Sequence, residues 1–125
     1  MTTAASRQAV GAYGESVAAR FLTGERGMVL LDRNWRCAEG ELDLVLRDGP
    51  VLVACEVKTR RGDGCGSPHE AVDAVRLDRL HRLVWRWVEE HTGAAGSVDE
   101  VRVDLVAVLR PRRGAAVVDH VAGLA

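Results

Sequence analysis

The stretch GELDLVLRDGPVLVACEVKTR, Gly40 to Arg60, restricts the possible folds more than any other part of the chain. Two apolar runs, LDLVL and VLVACEV, flank Asp48-Gly49-Pro50. Asp-Gly between alternating apolar runs is a strong short-range signal for a β-hairpin. The arms are expected over Glu41–Arg47 and Val51–Lys58. A two-residue turn at Asp48-Gly49 pairs Arg47 with Pro50, which sets Asp43 opposite Ala54 and Glu41 opposite Glu56. Strand side chains alternate faces, so Glu41, Asp43, Glu56 and Lys58 then share one side. A one-residue slip would send Asp43 to the other face.

Three carboxylates and an ammonium in the middle of an apolar hairpin need a physical account. Like charges opposite each other across a ladder destabilise it, and a buried ionised carboxylate needs a partner or must protonate. A divalent cation resolves that conflict; Mg²⁺ is commonly held by one or two carboxylates with waters and substrate phosphates. Lys58 would then stabilise developing negative charge or help to activate a water. The competing account is a solvated strand face, which a bare Glu-x-Lys usually is. Here the pair ends an apolar strand, an acid sits on the preceding arm and the Gly/Arg-rich TRRGDGCGSP follows. On the residues alone both accounts stay open.

Around the hairpin, Val10 to Thr23 has helical periodicity, with Val10, Gly14, Val17, Ala18, Phe21 and Leu22 on one face and Glu15 on its rim. GERG ends that helix, and Met28 to Cys37 reads as a strand. Thr59 to Pro68 is expected to be a loop leading to a second helix, with Ser67 as N-cap, Pro68 in the first turn and Glu70 completing a capping box. Val72, Val75, Leu80, Leu83, Val84, Trp87 and Val88 give that helix a core face. GAAGS (Gly93 to Ser97) reads as a flexible link, Val101 to Leu109 as an interior strand and Ala116 to Val121 as a last strand. The order is α-β-β-β-α-β-β: an α/β chain with a mixed sheet flanked by helices, in one domain over residues 1–125.

Bulk properties exclude several classes. A chain of 125 residues, 47% hydrophobic and 28% charged, can bury a core without staples. It has no run near the ~20 apolar residues of a membrane span and no secretory leader pattern. Cys37, Cys55 and Cys65 lack CxxC spacing and suit a cytoplasmic protein with reduced thiols; Cys65 with His69 lacks the second pair of a zinc finger. A net charge of −1 means that any nucleic-acid binding needs a local basic patch. With aromatics at 4%, single-strand binding by base stacking is unattractive.

Asp43, Glu56-x-Lys58 and the flanking helices resemble the PD-(D/E)XK motif of restriction-endonuclease-like folds. More closely, GAYGESVAARFL, RNWRCAEGELDLVLRDG, ACEVKTR and GSPHEAV resemble the YraN-like family of predicted endonucleases, over Gly11 to Leu109. The resemblance implies an αβββαβ core akin to Holliday-junction resolvases. It implies Asp43 and Glu56 as ligands of Mg²⁺ or Mn²⁺, Lys58 as the catalytic lysine and Glu15 as a further acid of the site. Leu42 stands where the motif often has Pro, and Arg76 where relatives tend to have lysine. The implied activity is hydrolysis of phosphodiester bonds in nucleic acid, DNA ahead of RNA, with branched or structured DNA among the candidate substrates; the symmetry of a duplex substrate allows a homodimer. The alternatives are a non-catalytic nucleic-acid-binding module with the same fold, and a scaffold whose sheet charges form internal ion pairs.

Arg60 and Arg61, at the exit of the hairpin, and Arg36 are candidate phosphate contacts, which position a backbone without reading bases. Trp35 is expected in the core. Arg76, Arg79, Arg82 and Arg86 form a stripe that reads as the solvent face of the second helix. Asp104 reads as half of a structural salt bridge.

Overall fold

The computed structural model describes residues 4–61 and 72–124, with side chains from residue 9 onward. Helix α1 (Ala4–Gly24) precedes a meander of β1 (Val29–Cys37), β2 (Gly40–Asp48) and β3 (Val51–Arg61). Helix α2 (Ala74–Glu90), the short α3 (Thr92–Ala95), β4 (Glu100–Arg110) and β5 (Val117–Val121) follow. The strands form one sheet in the order β1-β2-β3-β4-β5, parallel only between β3 and β4. That pair needs a crossover, and α2 supplies it. The result is a mixed α/β sheet flanked by helices, compatible with the expected αβββαβ core.

Each sheet face has its own core. Ala18 and Leu22 of α1 pack on Leu44, Leu46, Val53, Cys55, Val106 and Val108. On the other face Leu80, Leu83, Val84 and Trp87 of α2 pack on Leu42, Val45, Leu52, Ala54 and Val103. Trp35 joins this second core, as expected. The helix–sheet spacing on the α1 side is set at Gly14, where an added Cβ would lie 1.7 Å from Thr59 Oγ1. No helix of the described residues is long and apolar enough to cross a membrane.

The hairpin register differs from expectation by two residues. Asp48 pairs with Val51 and Arg47 with Leu52, so Gly49-Pro50 is the tip, with Gly49 at φ +58°. Pro50 has no N–H to give to a ladder, which excludes it from the pair with Arg47. A two-residue shift keeps parity, and Asp43 therefore stays on the expected side. β3 runs on to Arg61 rather than stopping at Lys58, because its parallel ladder with β4 continues to Arg61↔Arg110.

The proposed Ser67–Pro68–Glu70 capping box lies outside the described residues. The described α2 begins at Ala74, with Asp73 as its N-cap accepting from the Arg76 N–H at 2.8 Å. Val75, expected on the core face, is 72% exposed, whereas Leu77, Leu80, Leu83, Val84 and Trp87 turn to the sheet. GAAGS is not simply a flexible link. Its first residues complete α3, Ala95 is fully buried, and Gly96 at φ +66° ends the turn.

Candidate active site

Hydrogen-bonded pairing between β2 and β3 ends at Leu44↔Cys55. Continuing that register by one residue sets Asp43, rather than Glu41, across from Glu56. Here the strands fork. The Val57 N–H, which would otherwise seek a carbonyl on β2, donates to Asp43 Oδ2 at 2.9 Å. A side chain thus replaces the backbone acceptor, and the Asp43 carboxylate is drawn between the two strands.

The fork has a local cause. Leu42 packs into the α2-side core and Leu44 into the α1-side core, and Val45 returns to the α2 side. Strict alternation is therefore broken around Asp43. On β1 the pairs Arg33↔Leu44 and Trp35↔Leu42 bracket Asn34, which adopts φ +54°. Asn is among the few non-glycine residues that tolerate this left-handed conformation. The kink at Asn34 lies across from the aspartate that leaves the pleat.

Glu56 is 6% exposed, a buried carboxylate among apolar neighbours. Two cations compensate it, both at Oε1: Lys58 Nζ at 3.8 Å and the Arg76 guanidinium. Arg76 reaches it from the first turn of α2, whose start is held by the Asp73 cap. Arg76 is exposed, as expected of the stripe, and its guanidinium also reaches the buried Glu56. Its neighbours in the stripe have other partners: Arg82 pairs with Asp78, and Arg86 with Glu39 and Glu90. The Asp residue at the helix start was the sequence signal that could have placed Arg76 one turn from the sheet.

Among the described residues, Asp43 has no comparable cation. Burial first, and then the negative charge of Glu56, push its carboxyl from 3.8 up to about 7, against the lowering effect of the Val57 N–H. Glu15 and Glu41 add to the same negative field. Glu15 is brought there by α1, since Gly14 beside it abuts Thr59, the residue after Lys58. Of the expected acids, Glu56 and Glu15 both act on the charge of Asp43, and Lys58 stands beside Glu56. Glu41 is turned away to an ion pair with Arg36 at 3.0 Å, its cross-strand neighbour, instead of facing Glu56. Arg36 is consequently tied to a carboxylate, whereas Arg60 and Arg61 are exposed at the end of β3.

The donor set suits a hard divalent cation. Asp43 and Glu56 offer carboxylate oxygens from neighbouring strands, and their mutual repulsion is relieved by positive charge. Among the described residues no group of three or more His, Cys, Asp or Glu side chains is placed to hold a metal ion. Mg²⁺ does not require one, since it keeps several waters and takes one or two carboxylates with substrate phosphates.

The remaining buried charge is structural, as expected of Asp104. Burial alone would raise its pKa. Hydrogen bonds from Arg102 Nε (2.8 Å), the Gly123 N–H (3.0 Å) and His120 Nε2 (2.8 Å) outweigh that and hold it below the ordinary range. Arg26 Nε donates to His120 Nδ1 at 3.3 Å, which leaves the proton on Nε2. His91 likewise serves packing, stacked on the Trp87 ring at 4.4 Å.

Comparison with known proteins places the chain in a family. The chain is 60% identical over 121 residues to a UPF0102 protein of Nocardioides sp., covering 97% of this chain and 94% of that protein. It is 54% identical to one of Streptomyces coelicolor (96% and 91% covered) and 44% identical to one of Acidothermus cellulolyticus (97% and 96%). Residues 14–108, which hold Glu15, the fork and Arg76, match the family model described as uncharacterised protein family UPF0102. The chain belongs to the UPF0102 family, the YraN-like group that its sequence motifs resemble.

Proposed function

We propose that this protein is a metal-dependent nuclease that hydrolyses phosphodiester bonds in DNA, with branched or structured DNA as its preferred substrate. The observation that carries the reading is the fork itself: Asp43 drawn between β2 and β3, across from a buried Glu56 that has Lys58 at 3.8 Å. Asp43 and Glu56 would hold Mg²⁺ or Mn²⁺, which when bound supplies Lewis-acid polarisation of the phosphate and a more acidic water. Lys58 projects its ammonium beside the metal-binding carboxylates, where it stabilises negative charge that develops on the phosphoryl oxygens. Glu15 supplies a carboxylate able to accept a proton from the attacking water. Arg76 holds Glu56 in one orientation through Oε1 and is a positioning residue.

A second reading, a binding module that retains the fold without catalysis, is favoured by one observation. Glu56 already has two cationic partners and does not depend on a metal for charge balance. A cleavage panel separates the two: branched, nicked and linear DNA and the matching RNAs, each with EDTA, Mg²⁺ or Mn²⁺, beside Lys58→Ala. The nuclease reading expects metal-dependent products on DNA, reduced at least a hundredfold by Lys58→Ala with DNA binding retained. Salt-sensitive binding without products under any metal would establish the binding module instead.

A further inference from the structure

We propose that the C-terminal ends of β3 and β4 carry a phosphate-binding cleft, built from Arg61, Arg110 and Arg112, that holds the nucleic-acid backbone to one side of the fork. The substrate class rests on the nuclease reading above, although the cleft is testable without cleavage. Arg61 and Arg110 are direct neighbours in the parallel ladder. Like charges so placed repel, and an anion between them removes the cost. With Pro111 and Arg112 they line a cleft of about 580 Å³. Among the described residues, none of Arg60, Arg61, Arg110 and Arg112 has an acidic partner. Arg36, Arg76, Arg82, Arg86 and Arg102 all do.

The cleft is built rather than merely basic. The Arg110 guanidinium lies over the Tyr13 ring, 5.0 Å from its centre. Tyr13 precedes the Gly14–Glu15 pair that α1 brings against Thr59, so one helix turn orients both a site acid and a cleft arginine. A guanidinium stacked on an aromatic ring loses less freedom when it meets an anion. Arg61 lies three residues, roughly 10 Å, beyond Lys58 along β3. Side chains alternate along a strand, so Arg61 stands with Arg110 and Tyr13 on the α1 side of the sheet. In a chain of net charge −1, such a local concentration of arginine provides the positive patch that binding requires.

The test measures binding of labelled forked and linear DNA in EDTA, by fluorescence anisotropy between 50 and 200 mM salt. The triple variant Arg61→Ala/Arg110→Ala/Arg112→Ala is compared with Arg79→Ala/Arg82→Ala/Arg86→Ala, which removes the same charge from the opposite helix. The cleft variant is expected to bind at least tenfold more weakly, with the slope of log K against log salt reduced by about 2.7, or about 0.9 for each phosphate that an arginine no longer neutralises. The control variant is expected to stay within twofold of the parent. Arg112→Glu alone, on an exposed turn, should lose at least fivefold without disturbing packing. Unchanged affinity and slope in the cleft variants, equal loss in the control, or no salt-dependent binding by the parent would each overturn the proposal. Loss of binding in the cleft variants from a parent that gives no products with Mn²⁺ would sink the nuclease reading and leave the cleft standing.

Discussion

Asp43→Asn tests the crowding of carboxylates at the fork through stability alone. The replacement is nearly isosteric and keeps an oxygen able to accept the Val57 N–H. What it removes is a charge that burial and Glu56 disfavour. Because the Asp43 carboxyl is raised from 3.8 to about 7, the folded protein holds this proton over a range where the unfolded chain has released it. Unfolding free energy therefore falls as pH rises through that window, by about 1.4 kcal/mol per unit. Below the ordinary aspartate range both states are protonated, and parent and variant should be alike. Above pH 7 the full difference, three units or about 4 kcal/mol, favours the variant. Taking half for the part of Asp43 that meets water leaves about 2 kcal/mol. For a chain of 125 residues a kcal/mol corresponds to about 4 °C in Tm, so Asp43→Asn should melt roughly 8 °C higher at pH 8 in EDTA. The assay is thermal melting of both proteins from pH 3.5 to 8.5, read as the difference so that other titrating groups cancel. Millimolar Mg²⁺ or Mn²⁺ should raise the parent Tm at pH 8 and leave the variant unmoved. A difference that does not vary with pH would show that Asp43 is an ordinary solvated aspartate, and the account of the fork would be wrong.

Gly14→Ala should lower stability by about 1–3 kcal/mol, since its Cβ would stand 1.7 Å from Thr59 Oγ1 and force α1 off β3. Thr59→Ala in the same chain should restore part of that loss in a denaturant titration; a Gly14→Ala protein as stable as the parent would remove the stated reason why α1 sits so close. Asp104→Asn should cost about 3 kcal/mol at neutral pH, because it leaves Arg102 and His120 with a neutral partner in a buried place. The Asp104 carboxyl is depressed in the fold, so its contribution is complete above the ordinary aspartate range and is lost as pH falls through its lowered pKa. Parent and Asp104→Asn melting curves should accordingly converge on acidification, opposite in sign to the Asp43 pair, and parallel curves would refute the assignment.

Much of this protein is legible along the chain. Alternating apolar residues on both sides of Asp48-Gly49-Pro50 specify a hairpin, and the periodicity of Val10 to Leu22 and of Leu80 to Val88 specifies two helices with one apolar face each. These are local signals, set by the steric and hydrophobic preferences of consecutive residues. Parity assigns Asp43, Glu56 and Lys58 to one face in either register, because a two-residue error does not change the face. Three decisive facts are not local. The missing N–H of Pro50 moves the ladder by two residues and puts Asp43, not Glu41, across from Glu56. The kink at Asn34 and the divided packing of Leu42 and Leu44 open the sheet so that Asp43 can take the Val57 N–H. Docking of the two helices then brings Glu15 in past Gly14 and Arg76 onto Glu56. Periodicity states which face a residue occupies. Which residues from distant segments meet at that face is decided only when the two cores close on opposite sides of the sheet.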